Sequence, residues 1–145
     1  MQEPPIYAIK SAALAFGTNQ LFRDVELYIN KGDKISLVGR NGSGKSTLLK
    51  VIAGEIEPDN GDIFIQPGTK ISYMPQDPDL SGFATLRDVV LDGFSKEEHE
   101  VGYLADMLIE QFGIVEAQNP ATASGGERRK AALARALAGE PDILL

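Results

Sequence analysis

In the stretch LVGRNGSGKSTLLKVIAG (37–54) the chain sets three glycines, one lysine and two serines within eight residues, between two apolar runs. Glycine loses more backbone freedom on folding than any other residue. Gly39, Gly42 and Gly44 together therefore point to a backbone that must approach something closely. Gly39-Arg40-Asn41-Gly42-Ser43-Gly44-Lys45-Ser46 has the spacing Gly-x4-Gly-Lys-Ser/Thr. The chemistry that suits this spacing is polyphosphate binding. Successive N–H groups of a glycine-rich turn converge on an anion, and a helix starting at the turn adds the partial positive charge of its N-terminus. Lys45 can reach terminal phosphates, and a hydroxyl at Ser46 can ligate Mg2+. Gly39, Asn41, Gly42, Ser43, Gly44, Lys45, Ser46 and Thr47 are the expected nucleotide-binding residues. Arg40, Asn41 and Ser43 also suit the turn geometry itself.

Such a loop needs a strand before it and a helix after it. The run ISLV within KISLVG (34–39) is apolar without alternation, which predicts a strand buried on both faces. KSTLLKVIAG predicts a helix through Leu48, Leu49, Val51 and Ile52, stopped at Gly54. Upstream, IYAIKSAALAF (6–16) and VELYI (25–29) read as strands bounded by the turn signals GTNQ and NKGDK. GDIFIQPGTKISYMPQ predicts strands at 62–66 and 70–74 around a Pro-Gly turn. DPDLSGFA reads as a loop, and TLRDVVLDGF as a short helix in which Thr85 and Asp88 have capping-box spacing. KEEHEVGYLADMLIEQF is amphipathic, with Val101, Leu104, Leu108 and Phe112 on one stripe. GGERRKAALARALAG is a further helix, with Ala132, Leu133, Ala136 and Leu137 inward and Gly139 near its end. PDILL opens another buried strand.

The whole composition narrows the chemistry. The chain has 145 residues, enough for one domain with a core. Hydrophobic content of 43% and charged content of 24% are those of a globular protein. The absence of cysteine removes disulfides, thiolate metal sites and cysteine nucleophiles. The single histidine, His99, lies in SKEEHE and reads as a solvated surface residue. The N-terminal MQEPPIYAIK lacks the basic and apolar regions of a signal peptide, and no apolar run nears the roughly 20 residues of a membrane span. The net charge of −7 argues against general nucleic-acid binding by these residues. The basic cluster Arg128-Arg129-Lys130 is too small to reverse it.

The remaining motifs carry a family resemblance. ASGGERRKAALARALAGEPDILL (123–145) resembles the signature segment of ABC-type ATPases, followed by the strand that normally ends in their Walker B acids. YMPQD (73–77) resembles their Q-loop. Phe16, in LAFG, falls where the family places an aromatic under the adenine. With the phosphate loop, these matches occur in the family's order and cover nearly the whole chain. The resemblance implies an α/β fold of the P-loop NTPase class. It would be an ABC-type ATPase domain with an antiparallel β subdomain and a small helical subdomain, incomplete at its C-terminus. The implied organisation of 1–145 is a β subdomain and P-loop core over 1–76, a helical subdomain over 77–123, and the signature helix with the start of the Walker B strand over 124–145.

The resemblance also implies roles. ATP and Mg2+ are the ligands, with Ser46 and Gln76 on the metal and Lys45 and Gln76 in the catalytic set. Phe16 would stack on the base. Ser124, Gly125, Gly126 and Glu127 would contact, in trans, the γ-phosphate held by the P-loop of a second ABC ATPase domain. Each residue has a plainer reading: Ser124 and Glu127 as a helix cap, Gln76 as an exposed loop residue, Phe16 as a core or turn aromatic. Glu127 stands where transporter ATPases usually carry glutamine. PQDPDLSGFATLRDVV and the ending resemble the soluble ABC-F branch, tandem ATPases without a membrane subunit, several of which act on ribosomes and some of which are linked to branched DNA. Cytoplasmic location follows from that resemblance, with any ribosome or nucleic-acid contact made by parts outside these residues. A transporter ATP-binding subunit and a non-catalytic nucleotide-binding module are the alternatives. A P-loop kinase or GTPase is a third, disfavoured by the signature segment and the lack of Asn-Lys-x-Asp. Asp142 precedes the apolar run of PDILL, whereas the family's Walker B acids follow theirs. Slow or absent hydrolysis is expected of these residues alone.

Overall fold

The computed structural model describes residues 3–40, 42–95 and 98–145, and the side chains of Glu98 and His99 are not among what it describes. The chain divides into two compact units, 1–71 and 72–145. Expectations for Asn41 and for the His99 side chain lie outside the described residues.

The first unit is built on a hairpin. β1 (Tyr7–Phe16) and β2 (Asn19–Ile29) pair antiparallel from Tyr7↔Ile29 to Phe16↔Asn19, across a two-residue turn at Gly17-Thr18. The expected turn GTNQ is thus shorter, and Asn19 and Gln20 join β2. β3 (Asn60–Ile65) pairs with the other edge of β1, giving the order β2-β1-β3. β1 is therefore central, and its Tyr7, Ala8, Ile9, Ala12 and Leu14 are buried. Its register shifts beyond Ile9 on β2 and beyond Lys10 on β3, and Ser11 takes a left-handed φ of 52° there. That irregularity brings two backbones together. A Cβ on Gly61 would sit 2.6 Å from the Ala12 Cα, so only glycine fits. The helix after the phosphate loop is α1 (Lys45–Ile52). It ends in a Schellman motif, with Gly54 N–H bonded to Val51 and Glu55 N–H to Lys50.

One expected element of this unit does not form. Residues 34–39 are not a strand: Ile35 is 50% exposed, Leu37 37% and Val38 92%. A strand exists only through bonds to a neighbour, and among the described residues this segment has no such partner. The apolar run recorded a preference for burial without supplying the sheet that satisfies it.

The second unit is helical. β4 (Ile71–Ser72) is much shorter than the expected strand at 70–74, and it pairs with β5 (Ile143–Leu144) rather than with β3. Leu145 donates to the Ser72 carbonyl at 2.9 Å and accepts from Met74 N–H at 2.8 Å, the slanted pattern of parallel strands. α2 (Leu86–Asp92) begins in the expected capping box, Thr85 accepting from Asp88 N–H and Asp88 from Thr85 N–H, each at 3.1 Å. α3 (Glu98–Phe112) and α4 (Gly125–Ala138) pack on α2 and on each other. Leu86, Val89 and Leu80 meet Ala131, while Val90 meets Ala105, Ile109 and Ala134. Both packing stripes differ in part from the expected ones: Val101, Leu108 and Phe112 of α3 and Ala132 of α4 face the core as expected, but the most buried positions lie beside them. On α3 the buried line is Val101, Ala105 and Ile109, and Leu104 is 37% exposed. On α4 it is Ala131, Ala132 and Ala134, with Leu133, Ala136 and Leu137 only half-buried. Small residues let the helices approach closely, so alanines, rather than the larger leucines, occupy the seams. Gly93, just after α2, completes that approach. A Cβ there would lie 2.1 Å from the Arg135 carbonyl oxygen of α4.

Candidate functional site: a glycine turn and a capped signature helix

In the first unit the turn 39–46 folds back on itself. Ser43 N–H donates to the Arg40 carbonyl at 3.1 Å. A side chain at Gly39 would meet the Ser43 Oγ at 2.7 Å, so the two ends of the turn are close. Gly42 and Gly44 have φ of 80° and 90°, a left-handed conformation that L side chains resist. Gly44 is the N-cap of α1, packed against Leu21 of β2, and its carbonyl accepts from Leu48 N–H at 2.8 Å. The helix has no side-chain cap and no acid in its first turn. Its leading N–H dipoles meet no negative side chain of their own, which leaves a positive pole at the turn. The Lys45 ammonium donates to the Gly39 carbonyl at 2.5 Å and thereby bridges the turn's two ends. Among the described residues no carboxylate pairs with Lys45. Ser46 follows on the exposed side of α1, and Thr47 is half-buried. Phe16 closes the β1–β2 hairpin beside Asn19 and is 55% exposed, so it is not a core aromatic.

The arrangement fits a polyphosphate: a left-handed glycine turn, a helix N-terminus without an acid in its first turn, and the Lys45 ammonium beside them. No group of three or more His, Asp or Glu side chains among the described residues could hold a metal alone. Mg2+ in nucleotide sites keeps several waters and takes few protein ligands beside the substrate phosphates, and the Ser46 hydroxyl suits one such position.

In the second unit, Gln76 is exposed just after β4. Ser124 is the N-cap of α4. Its Oγ accepts from Glu127 N–H at 3.2 Å, while the Glu127 carboxylate accepts from Ser124 N–H at 2.7 Å. The Ser124 N–H holds the Glu127 carboxyl below its ordinary range. The expected cap is therefore real. Gly125 and Gly126 fill the first turn in ordinary helical conformation, and a Cβ on Gly125 would meet nothing within 4 Å. One contact had no sequence signal. The Arg129 Nε–H donates to the Gln76 carbonyl at 3.3 Å, across 53 positions. In sequence Arg129 is only the middle of a basic cluster, and no local period relates it to Gln76.

A left-handed glycine turn feeding an uncapped helix, on an antiparallel β unit, with a helical unit beside it in sequence, defines a P-loop nucleotide-binding domain. The profile of the family described as ABC transporter matches residues 22–145, and the chain belongs to that family as an ABC-type ATPase domain. Relatives support the assignment. The ATP-binding protein Uup of Caulobacter vibrioides is 43% identical over 142 residues, covering 97% of this chain and 22% of that protein. The energy-dependent translational throttle protein EttA of Mycobacterium tuberculosis is 32% identical over 178 residues, covering 97% and 32%. The aliphatic sulfonates import ATP-binding protein SsuB of Corynebacterium glutamicum is 32% identical over 146 residues, covering 97% and 59%. A solved ATP-binding subunit of an ABC transporter matches with a TM-score of 0.81 at 26% identity, covering 94% of this chain and 63% of its own. The dimeric ATP-binding cassette MJ0796, in a post-hydrolysis state with ADP and Pi, has the same fold, with a TM-score of 0.83 at 23% identity over 95% and 72%. The chain spans 22% to 27% of the length of the three Uup proteins it matches. Among the described residues no helix is long and apolar enough to cross a membrane.

Proposed function

We propose that this chain supplies the ATP-binding half of a composite ATPase site and, through its signature helix, part of a second site completed by another ABC ATPase domain. The observation that carries the reading is the turn itself. Two left-handed glycines lead into an uncapped helix, and Lys45 spans the turn. Gly39, Asn41, Gly42, Ser43, Gly44, Lys45, Ser46 and Thr47 hold the phosphates of ATP, Ser46 and Gln76 meet its Mg2+, and Phe16 stacks on the base. Lys45 draws charge from the γ-phosphate, and Gln76 orients the attacking water. Ser124, Gly125, Gly126 and Glu127 face the γ-phosphate bound by the second domain. Glycine at helix positions costs about 0.5–1 kcal/mol relative to alanine. The open space around Gly125 leaves room for close approach by an outside group.

The similarity to Uup and EttA favours an ABC-F protein of the cytoplasm, tandem with its second ATPase domain and without a membrane subunit. EttA is by name a translational throttle, which supports a ribosome as the target, with nucleic acid the other candidate. The match to SsuB, by name an import ATP-binding protein, favours the second reading, an ATP-binding subunit of a membrane transporter. Tagged protein captured from cells separates them: ribosomal components support the first and membrane permease subunits the second.

A further inference from the structure

Arg129 differs from the other arginines that hold the helical unit together. Arg87 pairs with Asp106 and Glu116, and Arg135 with Asp92. Arg129 has no carboxylate partner among the described residues, and its Nε–H is aimed at a main-chain oxygen, that of Gln76. An ion pair on a flexible side chain leaves the backbone free, whereas a bond to a carbonyl fixes the main chain of one particular residue. The segment it fixes runs from β4 to Leu80, which packs on Ala131 of α4. Within it Met74 is bonded to Leu145, Pro75 has no N–H to donate, and Gln76 is exposed. The bond to Arg129 holds the main chain between those two anchors. At its other end Arg129 belongs to a helix start locked by the Ser124–Glu127 box and seated through Ala131 on Leu86 and Val89.

We propose that Arg129 is a positioning residue that ties the Gln76 main chain to the first turns of α4, making loop and signature helix a single moving body. The inference rests on the ATP-site reading above. Gln76 there meets the nucleotide bound in its own domain, and Ser124 to Glu127 meet the nucleotide of a second domain. A rigid link between them lets occupancy of one site be felt at the other, without Arg129 touching either nucleotide.

The test is calorimetric titration with Mg-ATP and Mg-ADP of the wild-type chain and of Arg129→Met, Arg129→Lys and Lys45→Ala. Wild type is expected to prefer ATP. Arg129→Met should lower the ATP-over-ADP affinity ratio about fivefold, the worth of one hydrogen bond, with ADP affinity unchanged. Arg129→Lys, which keeps a donor one bond further along the side chain, should recover most of the ratio. A ratio unchanged in Arg129→Met overturns the proposal, as does an equal affinity of wild type for the two nucleotides. Lys45→Ala keeps the two failures apart. If it abolishes binding while Arg129→Met leaves the ratio intact, only the positioning role falls. If binding survives it, the ATP-site reading falls and takes the inference with it. Should Arg129→Met also lower the unfolding midpoint, amide exchange decides. Faster exchange at 76–77 and 124–127 together supports the link, and a change confined to neither or only one segment overturns it.

Discussion

Ser124 uses one hydroxyl for a structural purpose, and its capping bonds leave the outward face of the helix start available for another. The capping role predicts that Ser124→Ala lowers stability by about 1 kcal/mol, measured as a fall in the urea midpoint by circular dichroism. Ser124→Asp is an equally good cap and should unfold within about 0.5 kcal/mol of wild type, yet it sets a negative charge where a phosphate is proposed to lie. A large loss of stability in Ser124→Asp would show that the hydroxyl has a packing role the cap does not explain. The partner carboxylate adds a pH signature. Glu127 is held below its ordinary value by the Ser124 N–H, so its contribution is present above the ordinary glutamate range and is lost as pH falls through the lowered value. Tyr7 behaves in the opposite sense. Its hydroxyl is buried without a partner among the described residues, and burial pushes its pKa up to about 12. The unfolded chain ionises near pH 10, so Tyr7 leaves stability intact below that value and removes it as pH rises toward 12. Tyr7→Phe should abolish that alkaline slope and be neutral or stabilising at pH 7, because it removes an unsatisfied buried hydroxyl. A destabilisation of more than about 1 kcal/mol at pH 7 would mean the hydroxyl has a bonding partner after all.

Two places where elements come too close for any side chain determine the packing of each unit. Gly61 lies against the Ala12 backbone where β1 loses register, and Gly93 lies against the Arg135 carbonyl where α2 meets α4. Alanine at Gly93 forces the two helices apart and should cost about 2 kcal/mol or more. Gly61→Ala adds backbone strain at φ 108° to its clash and should cost at least as much. Urea unfolding that placed both variants within about 0.5 kcal/mol of wild type would contradict these approaches. These elements also show what sequence could and could not convey. The hairpin strands, the capping boxes and the extents of α1, α2 and α4 were legible because turn residues, caps and local periodicity specify them. The centring of the seams on Ala105 and Ala134 was not. A helical wheel ranks residues by hydrophobicity, but which side faces a neighbour depends on how closely that neighbour can come, and Ala105 and Ala134 admit a closer approach than Leu104 or Leu133. Residues 34–39 failed as a strand for a related reason: burial on both faces is a property of sheet neighbours, which no local pattern contains.

For the whole molecule, the motifs conveyed more than the tertiary contacts did. The phosphate turn was readable because main-chain chemistry fixes residue type and spacing there, and the family match covers residues 22–145. The link from Arg129 to Gln76 was not readable, since the fold alone brings residues 53 positions apart together. The net charge of −7 bears on partners. Binding of these residues to RNA or DNA should be weak and strongly salt-sensitive. Filter binding to ribosomal RNA at low and physiological salt checks this, and tight, salt-resistant binding would contradict it. If the glycine turn with Lys45 forms a nucleotide phosphate site, calorimetric titration of the folded chain with Mg-ATP should show saturable binding that Lys45→Ala, with the same circular dichroism spectrum, loses. Equal binding by both proteins, or none by a folded wild-type chain, would rule the phosphate site out.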